Sequence, residues 1–247
     1  MKTSKRKVIS SVVTLVLLLS TEVILARAGG GGGGGGGGSS FHGRGGGGHY
    51  TNQEIFFYTV IWVISTFGLT ILLIHKADRS KFIILWAAKE DRMWNMNKMK
   101  FISEAIFIKM QDAWMNRNIE KMKDHISKDL YEDYKEKLAV MKRNKEKNIL
   151  EYIDVEEVKI ISCEDFHDNS KDSFIAYIKG TILDYTISEE TNTVIKNTDK
   201  KQENFTDTYH FIRNGNKWIL NYIDNDVTFF DLLEAKNYKE KVTTTNG

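Results

Sequence analysis

The sequence predicts an α+β domain in which helices pack on a curved antiparallel sheet. Between residues 101 and 147, apolar residues recur at spacings of three and four, which is the period of a helix. From Leu150 onward the period is close to two, which is the period of a strand. Helices followed by a run of strands are typical of α+β folds. We expect three segments before this domain: a signal peptide, a glycine-rich arm and one transmembrane helix.

The first 28 residues have the pattern of a secretory signal. A lysine- and arginine-rich start precedes the apolar stretch from Val12 to Leu19, and residues 26–28 form an A-x-A cleavage site. Cleaved or not, this signal places the following arm, residues 29–54, outside the cytoplasm.

The arm holds 15 of the 19 glycines of the chain. Such a tract cannot offset the entropy of ordering itself, so we expect a flexible extracytoplasmic segment. His42 and His49 are its candidate metal ligands, but two histidines on a flexible chain make a weak site. We therefore expect no metal here.

The stretch from Ile55 to Ile74 contains no charged residue. A helix needs about 20 apolar residues to cross the hydrocarbon core, so residues 55–75 are predicted to form a single-pass anchor. Lys76, Arg79 and Lys81 follow it, which places its C-terminal end in the cytoplasm. A buried core helix is the alternative.

Residues 76–97 predict a juxtamembrane amphipathic helix. Phe82, Trp86 and Trp94 recur at nearly helical spacing with basic residues between them, as in helices that lie in the membrane interface. Burial of these residues against the following domain is the alternative.

The domain itself is predicted to span residues 98–235 and to begin with three helices. The first, Phe101 to Met115, is apolar around most of its surface, so we expect it to be central to the fold. Asn118 is expected to cap a short second helix, and Ser127 a third that ends near Lys147.

The strands follow from Leu150. A first strand is predicted around residues 155–161, a second from Phe174 to Ile187, and a hairpin between Phe205 and Ile223. Asn214-Gly215 is the strongest two-residue hairpin signal because a type I′ turn needs positive φ at both positions.

A turn at this position sets the pairing of the hairpin strands. Phe211 would face Trp218, and Asp207 would face Tyr222. Tyr209 would face Leu220, which leaves one aromatic, buried face. A short helix over residues 229–235 is expected to close the domain, and residues 236–247 to form a flexible tail.

Three clusters together resemble the C-terminal domain of the mitochondrial inner-membrane translocase subunit 44 family. They are the segment from Ile106 to Met115, the segment Ser127 to Tyr134, and the pattern F-x-D-x-Y-x-F-x-R from Phe205 to Arg213 followed by Trp218. The resemblance covers about residues 98–225. It implies the cone-like fold of nuclear transport factor 2, and the leader, glycine tract and anchor resemble the bacterial membrane-bound branch of the family.

The resemblance also implies a role at membranes. The mitochondrial domain sits on the inner membrane, contacts acidic lipid and tethers the import motor to the translocation channel. This chain lacks the long charged helical segment that engages the motor, so the resemblance implies a membrane-apposed adaptor and not a chaperone tether.

Motifs for catalysis are missing from the sequence: it has no Walker loop, H-E-x-x-H, C-x-x-C, nucleophile elbow or dinucleotide fingerprint. Cys163 is the only cysteine, which excludes an intrachain disulfide. The acidic cluster from Asp165 to Asp172, which includes His167, is better explained as a polar turn than as a metal site. We expect no catalytic, cofactor-binding or metal-binding residue.

One alternative is a pocket enzyme of the isomerase or dehydratase type. Asp207 would be its general base, because it shares a strand face with Tyr209 and Phe211, and burial would raise its pKa. A second alternative is an envelope sensor in which the glycine arm reports outside events inward.

Charge is distributed unevenly along the chain. Residues 76–147 hold 18 basic and 12 acidic residues, and residues 148–247 hold 11 basic and 19 acidic residues. A basic half beside the membrane suits an anionic inner leaflet. The predicted function is therefore a cytoplasmic binding or adaptor module, anchored once in the cell membrane, that contacts acidic lipid and a protein partner but no nucleic acid. Protein translocation and membrane-protein assembly are the processes in which such an adaptor is expected.

Overall fold

The computed structural model describes residues 52–240, without the side chains of residues 52–55, 57–58 and 61–66. The predicted signal peptide and all but the end of the predicted glycine-rich arm, with His42 and His49, lie outside the described residues. The chain divides into two compact units, and among the described residues the boundary lies between Leu72 and Leu73.

Residues 52–72 are the described part of the first unit. They form the N-terminal part of helix α1, Asn52–Ala87. The side chains of Phe67, Leu69 and Ile71 are exposed. Within the described part of the chain, no helix offers a stretch long and apolar enough to cross a membrane. The anchor predicted at residues 55–75 therefore stays a prediction.

The second unit, described from Leu73 to Glu240, contains the rest of α1 and the helices that pack on the sheet. These are α2, Met96–Met115, a single 3-10 turn, Ile119–Met122, and α3, Lys128–Arg143. The Ser127 hydroxyl accepts a hydrogen bond from the backbone N–H of Leu130 at 3.3 Å, so the predicted cap of α3 is confirmed. Asn118 is the N-cap residue of the 3-10 turn, as predicted, but its side chain makes no capping hydrogen bond.

The juxtamembrane helix predicted over residues 76–97 needs a correction. Helix α1 continues to Ala87 and ends there, and α2 begins at Met96 with Asn95 as its N-cap. Trp94 lies in the connection and is 1% exposed, because its ring packs on Trp218 with 4.9 Å between centroids. The alternative to an interfacial helix was burial of these residues against the domain, and Trp94 is buried in this way.

Six strands form one strongly curled sheet in the order β5-β4-β2-β1-β6, with β3 paired to β2. They are β1, Glu146–Asp165; β2, Ser173–Ser188; β3, Val194–Lys196; β4, Glu203–Asn214; β5, Lys217–Asp224; and β6, Asn237–Lys239. All pairs are antiparallel except β1 and β6. The predicted α+β class is confirmed.

The β4–β5 hairpin has a different register from the predicted one. Asn214 pairs with Lys217, so the turn is Gly215-Asn216, and only Gly215 has a positive φ (59°), which is the pattern of a type II′ turn. Phe211 therefore pairs with Leu220. Between Phe211 and the turn the pairing moved by two residues, and such a shift leaves side chains on their predicted faces. Beyond the bulge after His210 the shift is three residues, because Tyr209 pairs with Ile223, so Tyr222 lies on the face opposite to the predicted one.

The sheet also continues past residue 235, where the domain was predicted to end. Helix α4, Phe229–Glu234, follows β5, and Asn237–Lys239 then pairs in parallel with Cys163–Asp165 at the β1 edge. The first residues of the predicted tail are thus part of the sheet, while residues 241–247 lie outside the described residues.

Candidate functional site

The inner face of the sheet was the predicted location of a catalytic carboxylate. Asp207, Tyr209 and Phe211 lie on one face of β4, and each is 0% exposed. Helix α2 covers this face: the Phe107 ring lies 5.1 Å from the Phe205 ring and 5.6 Å from the Tyr209 ring. The predicted aromatic face is confirmed, and it is packed against a helix.

Asp207 is enclosed by this packing. Tyr222, its predicted partner, is 53% exposed and its ring contacts His210 on the outer face, because a bulge follows His210 in the β4–β5 pairing. Tyr134, which α3 contributes to the core, has a pKa raised well above its ordinary value by burial, and the nearby carboxylates of Asp133 and Asp207 act in the same direction. The Asp207 side chain therefore has no solvent-exposed surface.

The acidic cluster after β1 is a polar turn, as predicted. Asp168 accepts hydrogen bonds from the backbone N–H and the hydroxyl of Ser170 at 3.1 and 2.6 Å, around a 3-10 turn, Asn169–Lys171. Asp172 accepts the backbone N–H of Phe166 at 2.9 Å. In the described part of the chain, no three His, Cys, Asp or Glu side chains are grouped so that they could hold a metal ion.

A cleft of about 370 Å³ lies where the chain leaves α1 and meets the ends of β1 and β6. Its two basic residues are already paired. Arg213 bonds to Asp91 and, at 2.9 Å, to the buried Asp172, and Lys239 bonds to Asp165 at 2.7 Å and to Glu90 at 2.9 Å.

These ion pairs fasten the segment after α1 to the sheet. The indole N–H of Trp94 adds a hydrogen bond to Asp165 at 3.1 Å. Sequence reasoning missed this arrangement because Asp91 and Arg213 are 122 residues apart and no local pattern links them.

The match to known families falls on this unit. Residues 88–225, more than half of the chain, match the family model of the Tim44-like domain. The chain belongs to the Tim44-like domain family. The resemblance seen in the three sequence clusters is thereby confirmed, and the match begins at the end of α1, where the segment held by Trp94 and the ion pairs starts.

Solved structures also match the chain. One is the crystal structure of the intermembrane space region of chloroplast protein ARC6, at 10% sequence identity and a TM-score of 0.40. The similarity covers 53% of this chain and 95% of that chain. No curated protein matches the chain.

The second unit presents a stripe of large apolar side chains along the last turns of α1, just before the residues that match the Tim44-like domain. Phe82, Leu85 and Trp86 are 59%, 57% and 53% exposed, and we call them the α1 stripe. The Phe82 and Trp86 rings lie 5.6 Å apart, and the Lys89 ammonium lies 5.5 Å from the Trp86 ring centre. The opposite side of the same helix packs on the domain through Ser80, Ile84 and Ala87, which are all buried.

A second exposed apolar surface lies on α4. Phe229, Phe230 and Leu233 are 37%, 49% and 47% exposed, and we call them the α4 patch. Leu232, between them in sequence, is fully buried. Both surfaces consist of side chains that soluble domains usually bury, so they are the candidate contact surfaces of the domain.

Proposed function

We propose that this chain is a membrane-anchored, non-enzymatic binding module. Residues 55–74 hold the Tim44-like domain at the cytoplasmic face of the membrane, and the domain recruits a protein partner. The absence of charge from Ile55 to Ile74 and the basic residues that follow support the anchor and its orientation. Membership of the Tim44-like family supports a binding role associated with protein translocation.

The uncharged stretch from Ile55 to Ile74 carries the proposal. It is as long as a helix that crosses a bilayer, and basic residues follow it directly. In the second unit, the last turns of α1 are part of the domain core, with Ile84 and Ala87 each 1% exposed.

The distance from Ile74 along the last turns of α1 assigns the α1 stripe to a protein partner. Phe82 and Trp86 follow Ile74 by eight and twelve residues, which is about 12 and 18 Å along a helix axis. The headgroup layer on each side of a bilayer is only about 5–8 Å thick. The stripe would thus lie beyond the lipid, while Arg79 and Lys81 lie near enough to the surface to attract anionic headgroups.

Membrane extraction tests the anchor. Ile64→Arg combined with Phe67→Arg places two charges at the centre of the stretch, and each costs about 2.5–3.5 kcal/mol there. The wild-type chain should resist extraction by alkaline carbonate, and the double variant should be released. His75→Arg with Asp78→Arg adds two arginines to α1 just outside the stretch, so this control should stay in the membrane. Equal retention of both double variants would refute the anchor.

Cross-linking in intact membranes tests the partner surface. A photo-activated residue at Trp86 should capture a protein of defined mass, whereas the same residue at Tyr152, which is 74% exposed on β1, should not. Identical adducts from both positions, or none from position 86, would contradict a partner surface on the α1 stripe.

A further inference from the structure

Strands β5 and β6 lie at opposite edges of the sheet, so the chain between them passes from one edge to the other. Since β4, β2 and β1 lie between these two strands, residues 225–236 must cross the sheet, and helix α4 lies in this crossing. A reciprocal capping box begins the helix: the Thr228 backbone N–H donates to the Asp231 carboxylate at 2.7 Å, and the Asp231 N–H donates to the Thr228 hydroxyl at 3.3 Å. Leu232 fastens the helix to the domain, and the α4 patch points away from it.

Lys76 of α1 holds the other end of α4. Its ammonium donates to the backbone carbonyls of Leu233 and Ala235 at 2.8 and 2.5 Å. These are orphan carbonyls at a helix C-terminus, where a positive charge is favoured. Asn237 completes the tie, because its side chain accepts from the Ser80 hydroxyl at 2.7 Å and donates to the Lys76 carbonyl at 3.3 Å.

This tie fixes the position of the α4 patch along α1. Lys76 follows Ile74, the end of the uncharged stretch, by two residues, which is about 3 Å of helix rise. A lysine at this position normally extends toward lipid headgroups, but here it is bound to α4, and burial lowers its pKa. Helix α4 is therefore held at the level of α1 where the headgroup layer would be.

We propose that α4 is a second membrane contact, whose Phe230 and Leu233 enter the boundary between the headgroups and the acyl chains of the bilayer. This inference rests on the proposed anchor and adds to it a surface that would orient the domain. Apolar side chains of interfacial helices reach about 5–10 Å into that boundary. We assign lipid, and not protein, to the α4 patch because the patch lies at the level of the headgroups. The α1 stripe lies farther from the end of the uncharged stretch than the thickness of the headgroup layer.

The charge on and around α4 indicates which lipid property matters. Asp226, Asp231 and Glu234 lie on or next to α4 in sequence, and they outnumber the two basic residues beside it, Lys236 and the Lys76 that is bound to its C-terminal end. Attraction to anionic lipid therefore does not hold α4 at the surface. The contact should form on neutral phosphatidylcholine and should be insensitive to salt, because burial of apolar area is not screened.

Depth-dependent quenching on the full chain tests the inference. Cys163 is buried, so a cysteine introduced by Phe230→Cys or Leu233→Cys can be labelled selectively with an environment-sensitive fluorophore. In phosphatidylcholine vesicles both labels should shift to the blue and be quenched by lipids brominated near the headgroup. A label at Phe101→Cys, which replaces a side chain that is 70% exposed on α2, should show neither effect.

The outcomes separate the inference from the anchor. If the chain does not float with the vesicles, the anchor fails and the inference fails with it. If the chain floats but the label at 230 is quenched no more than the label at 101, the anchor stands and the α4 contact is wrong. A blue shift at 230 without quenching would show that a protein surface or a second copy covers the patch, which also overturns the inference. The Lys76→Met variant should still float with the vesicles. The label at position 230 should be quenched less in this variant, because the hydrogen bonds from Lys76 to α4 are lost.

Discussion

Trp218→Ala should destabilise the Tim44-like domain more than any change in the hairpin turn. The Trp218 side chain is 4% exposed, and its ring contacts Trp94 at 4.9 Å and Phe174 at 5.0 Å between centroids. Removing a buried aromatic ring and leaving a cavity costs about 3–5 kcal/mol. Because each aromatic contact contributes about 0.5–1.5 kcal/mol beyond burial, the loss of two contacts places the cost toward the upper end.

The measurement is thermal unfolding of a fragment that begins at His75, which keeps the Lys76 tie to α4. For a domain of this size a loss of 3–5 kcal/mol lowers Tm by about 6–20 °C. Asn214→Ala is the matched control, since Asn214 is an exposed residue at the end of β4 and should lower Tm far less. Equal Tm values for the wild type and Trp218→Ala would refute the packing of the segment after α1 against the sheet.

Three further outcomes follow from the same contacts. Arg213→Met should cost about 3–5 kcal/mol in urea unfolding, because it leaves the buried Asp172 carboxylate without its cation, and adding Asp172→Asn should recover part of the loss. The Cys163 thiol should react with Ellman's reagent only after unfolding, since it is fully buried and burial raises its pKa; rapid reaction of the native chain would contradict that burial. Arg79→Gln with Lys81→Gln should weaken binding of the His75 fragment to anionic vesicles at low salt by up to about 2 kcal/mol, and unchanged binding would remove the electrostatic contact with lipid.

Features with a local cause were predictable from the sequence. The buried face of β4 was predicted correctly because alternation depends only on parity, and a two-residue error in the turn leaves parity unchanged. The cap of α3 was predictable because Ser127 and Leu130 are three residues apart. The turn itself was misplaced by one residue, since both Asn214-Gly215 and Gly215-Asn216 are acceptable hairpin pairs.

Features that depend on distant residues were not predictable. Trp94 has the spacing of an interfacial residue, and only its contact with Trp218, 124 positions away, makes it part of the core. The segment after residue 235 has no strand pattern of its own, and it becomes β6 because β1 offers an open edge. The role of Lys76 likewise requires the carbonyls of α4, which no spacing in the sequence indicates.

The proposed anchor places the domain at the cytoplasmic face of a membrane. A pair of reporters fused after Gly247 tests this topology, one reporter active only in the cytoplasm and the other only outside it. We expect the cytoplasmic reporter to be active in the membrane fraction and the other to be silent. Activity of the external reporter, or cytoplasmic activity found only in the soluble fraction, would contradict it.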